Sequence, residues 1–363
     1  MSGAFHGGQF WQNHRESLRT GLPNPDVINA DVLDAWFPPP PEIISALNVC
    51  SEWQSRTSPP TNATEVTEVI ARARRLDPSS VLLGPGSSAL MFLAWRQLLD
   101  ASSKVMLVEP TYGEYRHLST NVVGAEVVTF STSVNDQFRI HLDFWLDSVL
   151  REQPDIAVLV NPNNPTGAGV DVGLLADRIP SNTLLWVDEA YIDYTQLESA
   201  EHLAATRPNV IVVKSLSKAY ALSGLRAAYL VACPATIEKL AKWSPPWSVS
   251  LPAQIASTLV WEHLAYYAVR HQETVVLRGA LVEKLAKLAL NVVAAEGNWV
   301  LVQLSEGLSA EKVVQFCMQH GVFLRNAGSS AVSLGDSFVR IAVKPESEQE
   351  RILQVIEMAL KSF

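Results

Sequence analysis

Between residues 81 and 231 the chain repeats one device: a short, almost unbroken apolar run followed by turn formers and a helical period. The runs are Val81-Leu82-Leu83, Lys104 to Val108, Asp155 to Val160, Leu184 to Val187, Val210 to Val213 and Ala228 to Val231. A strand that is apolar at nearly every position is buried on both faces, as in a mainly parallel sheet covered by helices. The architecture this predicts is α/β. One helix is legible ahead of the first run: Val66, Val69, Ile70, Ala73 and Leu76 share a face, with Thr61 or Asn62 as the expected cap.

Beyond Pro245-Pro246-Trp247 the pattern changes to long helical periods from Ala253 to about Leu290. Three strand-like runs follow, Trp299 to Leu304, Gly321 to Arg325 and Phe338 to Val343, with helices near 309–319 and 346–361, which reads as a small α+β unit. The expected organisation is an N-terminal arm over 1–40, a large domain over 41–245, a helical connection over 246–290 and a small C-terminal domain over 291–363.

Charge narrows the partners. The chain has 28 Lys and Arg against 37 Asp and Glu, a net charge of −9, so the attraction to phosphate backbones and anionic membranes is missing, and neither nucleic acid nor membrane is expected. Cys50, Cys233 and Cys317 lie far apart with no metal-ligand spacing; they read as buried thiols in a reducing compartment, and no metal site is expected. The segment from Met1 to Gly8 has no basic start and no long apolar stretch, so the expected location is cytoplasmic.

Four segments at strand ends or helix starts carry residues that suit one cofactor. Gly84-Pro85-Gly86-Ser87-Ser88 would present backbone N–H groups at a helix N-terminus, a site for a phosphate. Asn161-Pro162-Asn163-Asn164-Pro165-Thr166-Gly167 fixes a rigid corner able to aim an amide at a ring substituent. Asp188 ends a strand in the crevice where open α/β sheets bind ligands, and there it suits a protonated ring nitrogen. Lys218 follows another strand and is placed to form an imine with an aldehyde, with Ser215, Ser217 and Arg226 as a phosphate-binding set around it. Together they describe a site for pyridoxal 5′-phosphate.

At this point the chain resembles the fold-type-I, class I/II aminotransferase superfamily. Asn164 is followed by Asp188 after 24 residues, Lys218 after 30 more and Arg226 after 8 more. Glu109-Pro110-Thr111-Tyr112 resembles the family's ring-stacking aromatic, and Phe338-Val339-Arg340-Ile341 its substrate-carboxylate arginine. The resemblance covers nearly the whole chain and implies an aspartate-aminotransferase-like fold. It is nearest to the histidinol-phosphate aminotransferase and threonine-phosphate decarboxylase branch, through His6-Gly7-Gly8, Pro246 to Ser250, Gly297-Asn298-Trp299 and Val322 to Asn326.

The resemblance implies roles. Lys218 would hold the cofactor and then move a proton; Asp188 would keep the ring nitrogen protonated; Asn164 and Tyr191 would bond the ring oxygen; and Tyr112 would stack on the ring. Ser87, Ser88, Ser215, Ser217 and Arg226 would bind the phosphate, and Arg340 the substrate carboxylate. His6, Gly7, Gly8, Asp31, Asp34 and Arg325 would face the substrate, and two subunits would share the site.

In the arm, Asp31 and Asp34 stand where these relatives carry neutral amides. They would favour a cationic substrate, whereas Arg325 matches a phosphate-contacting position. Three readings follow: amino transfer from a polar or basic L-amino acid to a keto acid; decarboxylation of a phosphorylated hydroxy-amino acid; and elimination or cyclodehydration of a cationic, hydroxylated one.

Overall fold

The computed structural model describes residues 7–14, 17–175, 177–293, 297–329 and 331–363; His6 lies outside the described residues. The arm contributes a short strand, β1 (Ile28–Asn29). The strands of the large sheet are β2 (Val81–Gly84), β3 (Lys104–Glu109), β4 (Glu126–Ser131), β5 (Ile156–Val160), β6 (Leu184–Asp188), β7 (Val210–Ser215) and β8 (Ala228–Val231). Their order is β2-β8-β7-β6-β5-β3-β4, parallel throughout except for β8, which runs against both neighbours. Burial follows the apolar runs: β5, β7 and β8 are buried at every residue. Between the layers Trp186 meets Trp95 edge-on at 4.7 Å, and both rings are fully buried.

The register explains why the motifs converge. Val160 pairs with Asp188, and Asp188 with Val213, so the carboxyl ends of β5, β6 and β7 lie along one edge. Gly84 and Ser215 both pair with Ala228, which brings the carboxyl end of β2 to the same edge although β8 lies between. Helix Ser87–Leu98 therefore starts beside the turn that carries Lys218.

The C-terminal unit holds an antiparallel sheet of β9 (Asn291–Val293), β10 (Trp299–Gln303), β12 (Arg325–Asn326) and β13 (Phe338–Ala342), in the order β12-β13-β10-β9. Strand β11 (Val322–Phe323) instead pairs in parallel with β1. The arm is thus sewn onto this unit, and Ala30 adds bonds to Phe323 and Ala342 on either side. No helix among the described residues is long and apolar enough to cross a membrane.

Four local expectations need correction. Of the three thiols expected to be buried, Cys317 is, Cys233 is half-buried, and Cys50 is exposed at the end of the helix Pro41–Val49. Neither Thr61 nor Asn62 caps the first long helix, which runs Thr64–Arg74 behind Ala63 in the left-handed region at φ 49°, with no side-chain cap. The run Gly321 to Arg325 is not one strand: it breaks at Leu324 because β11 serves the arm and β12 serves β13. The helical stretch begins at Leu251, where the Ser250 side chain accepts from the Ala253 N–H, and it is interrupted before Leu264–Lys287.

Candidate active site

A cavity of ≈ 320 Å³ opens at the carboxyl edge of the large sheet. Lys218, Asp188, Asn164, Tyr112, Tyr191 and Ala190 line one side of it. Ser87, Ser88, Ser215, Ser217 and Arg226 close one end, with Arg325 and Arg340 at another. A larger cavity of ≈ 440 Å³ beside Thr64, Pro78 and Pro245 has Glu68 as its one ionisable lining residue and no arrangement for catalysis.

The phosphate end is built from backbone. Gly86 has φ +94°, and a Cβ there would come within 2.5 Å of Arg226 Nη2, so only glycine lets the helix start so close to that guanidinium. The first turn of Ser87–Leu98 carries no acidic residue to compete for its N–H groups. Arg226 donates to Ser217 Oγ at 3.2 Å and to the Ser223 carbonyl, and Ser215 Oγ accepts from the Ser217 N–H. These donors converge as a dianionic phosphate requires.

At the ring end Asp188 is buried and faces neutral groups. Tyr115 Oη donates to it at 2.6 Å and the Ala190 N–H at 3.0 Å. Burial pushes its carboxyl up despite both bonds, so a cation beside it would stabilise the ionised form. Trp186 Nε1 donates to Tyr115 Oη at 2.9 Å, which ties the carboxylate's position to the sheet core. Tyr115 was missed in the sequence; its signal is its spacing of three from Tyr112, which puts both on one side of the short helix Gly113–His117 and its cap.

The prolyl corner is held from within. Asn163 accepts from Thr111 Oγ1 at 2.7 Å and donates to the Pro110 carbonyl and Thr166, while Asn161 brackets Val170. Trp299 Nε1 donates to the Pro165 carbonyl at 2.7 Å, and the Trp299 ring meets Tyr191 edge-on. Asn164 is left facing the cavity, where Oδ1 accepts from Arg340 Nη1 at 2.7 Å. Burial raises the phenols of Tyr112 and Tyr191, keeping them protonated as donors.

Two arginines lie side by side, because Arg325 on β12 pairs with Arg340 on β13. Arg325 forms a buried ion pair with Asp31 at 2.7 Å. The Gly8 N–H also donates to Asp31, at 2.9 Å, and a Cβ on Gly7 would lie 2.0 Å from Arg325 Nη2, so this stretch of the arm rests directly on the pair. Among the described residues Arg340 has no carboxylate of its own: Nη2 donates to the Asp31 carbonyl, Nε is buried without a hydrogen bond, and burial together with Arg325 pushes its pKa down to about 10. Such a group calls for an anion.

Lys218 Nζ donates to Asp34 Oδ1 at 2.9 Å, and Tyr194 Oη holds the Lys218 carbonyl at 2.8 Å. Burial would raise the Asp34 carboxyl, but Lys218, Ser223 and Lys344 outweigh it and hold it below the usual range. Both arm carboxylates thus meet cations of this chain, Asp31 on Arg325 and Asp34 on Lys218. The charge of the arm was legible in the sequence; these pairings were not.

The residues present fit pyridoxal 5′-phosphate: a cradle that a Cβ would fill, a buried carboxyl without a cation, and an amine lining the same cavity. Among the described residues no group of His, Cys, Asp and Glu is arranged to hold a metal.

Comparison with known proteins agrees. A family model for aminotransferase class I and II matches residues 28–357. Histidinol-phosphate aminotransferase 1 of Carboxydothermus hydrogenoformans is 30% identical over 277 residues, covering 76% of each chain. In fold, the chain superposes on histidinol-phosphate aminotransferase from Sinorhizobium meliloti, solved in complex with pyridoxal-5′-phosphate, with a TM-score of 0.83 at 21% identity, covering 100% of this chain and 99% of that one. L-threonine-O-3-phosphate decarboxylase from Porphyromonas gingivalis gives 0.80 at 21% identity, covering 92% and 100%. The chain belongs to the class I and II aminotransferases, and is a pyridoxal 5′-phosphate-dependent enzyme with their aspartate-aminotransferase-like fold.

Proposed function

We propose that the protein acts at Cα of a polar or basic L-amino acid and transfers its amino group to a keto acid. The observation that carries this reading is Arg340: a buried guanidinium with an unbonded Nε, on the same cavity as Lys218 and Asp188, suits the carboxylate of an α-amino acid. The cofactor supplies an electron sink for the charge left when a bond at Cα breaks. The chain's residues do the rest. Asp188 keeps a positive ring nitrogen beside it, and Tyr115 and Trp186 hold that carboxylate in place. Tyr112 would cover one ring face, Asn164 and Tyr191 would bond the ring oxygen, and Ser87, Ser88, Ser215, Ser217 and Arg226 would bind the phosphate. Lys218 would hold the cofactor and, once released, would move a proton at Nζ.

Lyase chemistry is the second reading, since the same residues serve whichever bond at Cα is aligned for cleavage. Asp34, bonded to the cavity-lining Lys218, favours elimination or cyclodehydration of a cationic, hydroxylated amino acid once that amine is engaged. Decarboxylation of a phosphorylated hydroxy-amino acid draws support from Arg325 and from the decarboxylase neighbour, and is opposed by Asp31, which already neutralises Arg325. We place the protein in the cytoplasm as a homodimer with shared sites. Trp53, Trp243 and Trp247, each about half exposed or more, and the exposed Val49 are the apolar surface that supports a partner copy.

The test is titration of the cofactor-loaded protein with single amino acids, followed by visible absorbance and by mass spectrometry of the products. Arginine, ornithine or lysine giving a keto acid supports amino transfer, and a dehydrated or cyclised product supports the lyase. A response to phosphothreonine alone, with carbon dioxide released, would replace both.

A further inference from the structure

Trp299 opens β10, is fully buried and takes no part in the cavity wall, yet it touches the supports of two residues that do. Its Nε1 donates at 2.7 Å to the carbonyl of Pro165, the residue directly after Asn164. Its ring meets that of Tyr191 with centroids 4.8 Å apart and planes at 71°, an edge-to-face contact that fixes the phenol's plane. A Cβ on Gly297 would fall 1.8 Å from Trp299 Cζ3, so the indole is backed by main chain on which only glycine leaves it room.

Strand register explains the placement. Leu301 pairs with Arg340 across β10 and β13, and Trp299 lies two residues before Leu301, so Trp299 and Arg340 project from one face of the C-terminal sheet. Both reach the corner that carries Asn164: Arg340 Nη1 donates to Asn164 Oδ1 at 2.7 Å, and Trp299 holds the next carbonyl. Hydrogen bonds with Thr111, Pro110 and Thr166 meet Asn163 on one side of Asn164, and Trp299 meets Pro165 on the other. With Oδ1 taken by Arg340, the Asn164 amide has Nδ2 to offer as a donor, as a ligand of the cofactor's ring oxygen requires.

We propose that Trp299 is a positioning residue, one indole that holds both Asn164 and Tyr191 in place as donors to the cofactor's ring oxygen. This rests on those two residues being the ones that bond that oxygen. A donor to the ring oxygen weakens the oxygen's hold on the proton it shares with the lysine nitrogen, so losing a donor raises the pH at which the visible band changes. Without the Nε1 bond the corner is free to turn the Asn164 amide away. The charged and titratable groups around Tyr191 are Arg325, Arg340, Tyr112, Tyr194, Asp34 and Asp188, and substituting Trp299 removes none of them.

The experiment follows the pH midpoint of the visible band of the full, cofactor-loaded chain, with thermal unfolding of the cofactor-free protein alongside. Asn164→Ala is expected to raise the midpoint by about one pH unit, the scale of one hydrogen bond. Trp299→Phe, which keeps a ring against Tyr191 and loses the Nε1 donor, is expected to raise it by about half a pH unit, and the double variant to stop at the level of Asn164→Ala. Trp145→Phe is the control: an equally buried indole, on the helix Leu142–Glu152, whose Nε1 has no hydrogen bond among the described residues. It is expected to lower the melting temperature as a core truncation does and to leave the midpoint in place. A midpoint unmoved in Trp299→Phe, an equal shift in Trp145→Phe, or a double variant that exceeds Asn164→Ala by the full Trp299→Phe shift overturns the proposal. The parent reading fails separately: if neither Asn164→Ala nor Tyr191→Phe moves the midpoint, those residues do not bond the ring oxygen, and the proposal falls with them.

Discussion

Two clusters of buried charge flank β7, and they are resolved in opposite ways. Behind the strand, Lys214 lies between Glu189 at 3.4 Å and Asp193 at 3.7 Å, and Arg74 pairs with Glu201, which also accepts from Tyr229 Oη. Burial alone would discharge these groups, yet the cations Lys214 and Arg74 are pushed up and the carboxyls of Glu201 and Asp193 down, because each meets its opposite. Glu189, raised by burial, completes the set with bonds from Ser199 and the Ala200 N–H. In front of the strand the shifts reverse: Asp188 is raised and Arg340 and Lys344 are lowered. The rear cations and carboxyls each meet an opposite charge of the chain, whereas among the described residues Asp188 and Arg340 meet none and are left for a ligand. The rear cluster is structural by this measure, and the front one belongs to the candidate site.

The largest expected effect that tests this contrast is on the front lysine. Lys218→Ala is predicted to lower turnover by at least about 10³-fold, the scale of a lost general acid/base, with denaturant unfolding of the cofactor-free protein little changed; full turnover in that variant would break the assignment. Lys214→Met should do the reverse. Stranding the carboxylates around it is predicted to cost about 3–5 kcal/mol in urea unfolding, the scale of a broken buried ion pair, and equal stability would show that the rear cluster is idle.

Arg340→Gln is predicted to raise the KM for the amino-acid substrate about 100-fold with a smaller change in kcat, as a lost charge-assisted pair would. An unchanged KM would mean the carboxylate binds elsewhere. The smallest effect is a slope. Because the Glu201 carboxyl is held below its ordinary value of 4.5, its contribution to stability is complete above that value and is lost as pH falls through the lowered one. Glu201→Gln is predicted to flatten the acid limb of stability against pH by up to about 1.4 kcal/mol per pH unit, and an unaltered limb would place the acid sensitivity in other carboxyls.

The legible part of the molecule was the part written in contiguous segments. The buried runs became β2, β3, β5, β6, β7 and β8, and the four motifs now line one cavity, because each sits at a strand end where register brings the ends together. β4 escaped notice because Glu126-Val127-Val128-Thr129-Phe130-Ser131 alternates as an edge strand rather than reading as an apolar run. The bonds that orient the site were illegible for a different reason. Lys218 to Asp34 spans 184 positions and Arg340 to the Asp31 carbonyl spans 309, and no local pattern specifies partners so distant. Lys344 gave no signal, since a lysine after a strand reads as a surface charge until its burial is known.

Lys214 and Lys218 lie four residues apart, one in each cluster. The most direct test loads the purified protein with pyridoxal 5′-phosphate, reduces it with borohydride and identifies the labelled lysine by peptide mass spectrometry. The account predicts visible absorbance before reduction and a single label on Lys218. A label on Lys214 or Lys344, or no covalent label at all, would contradict it.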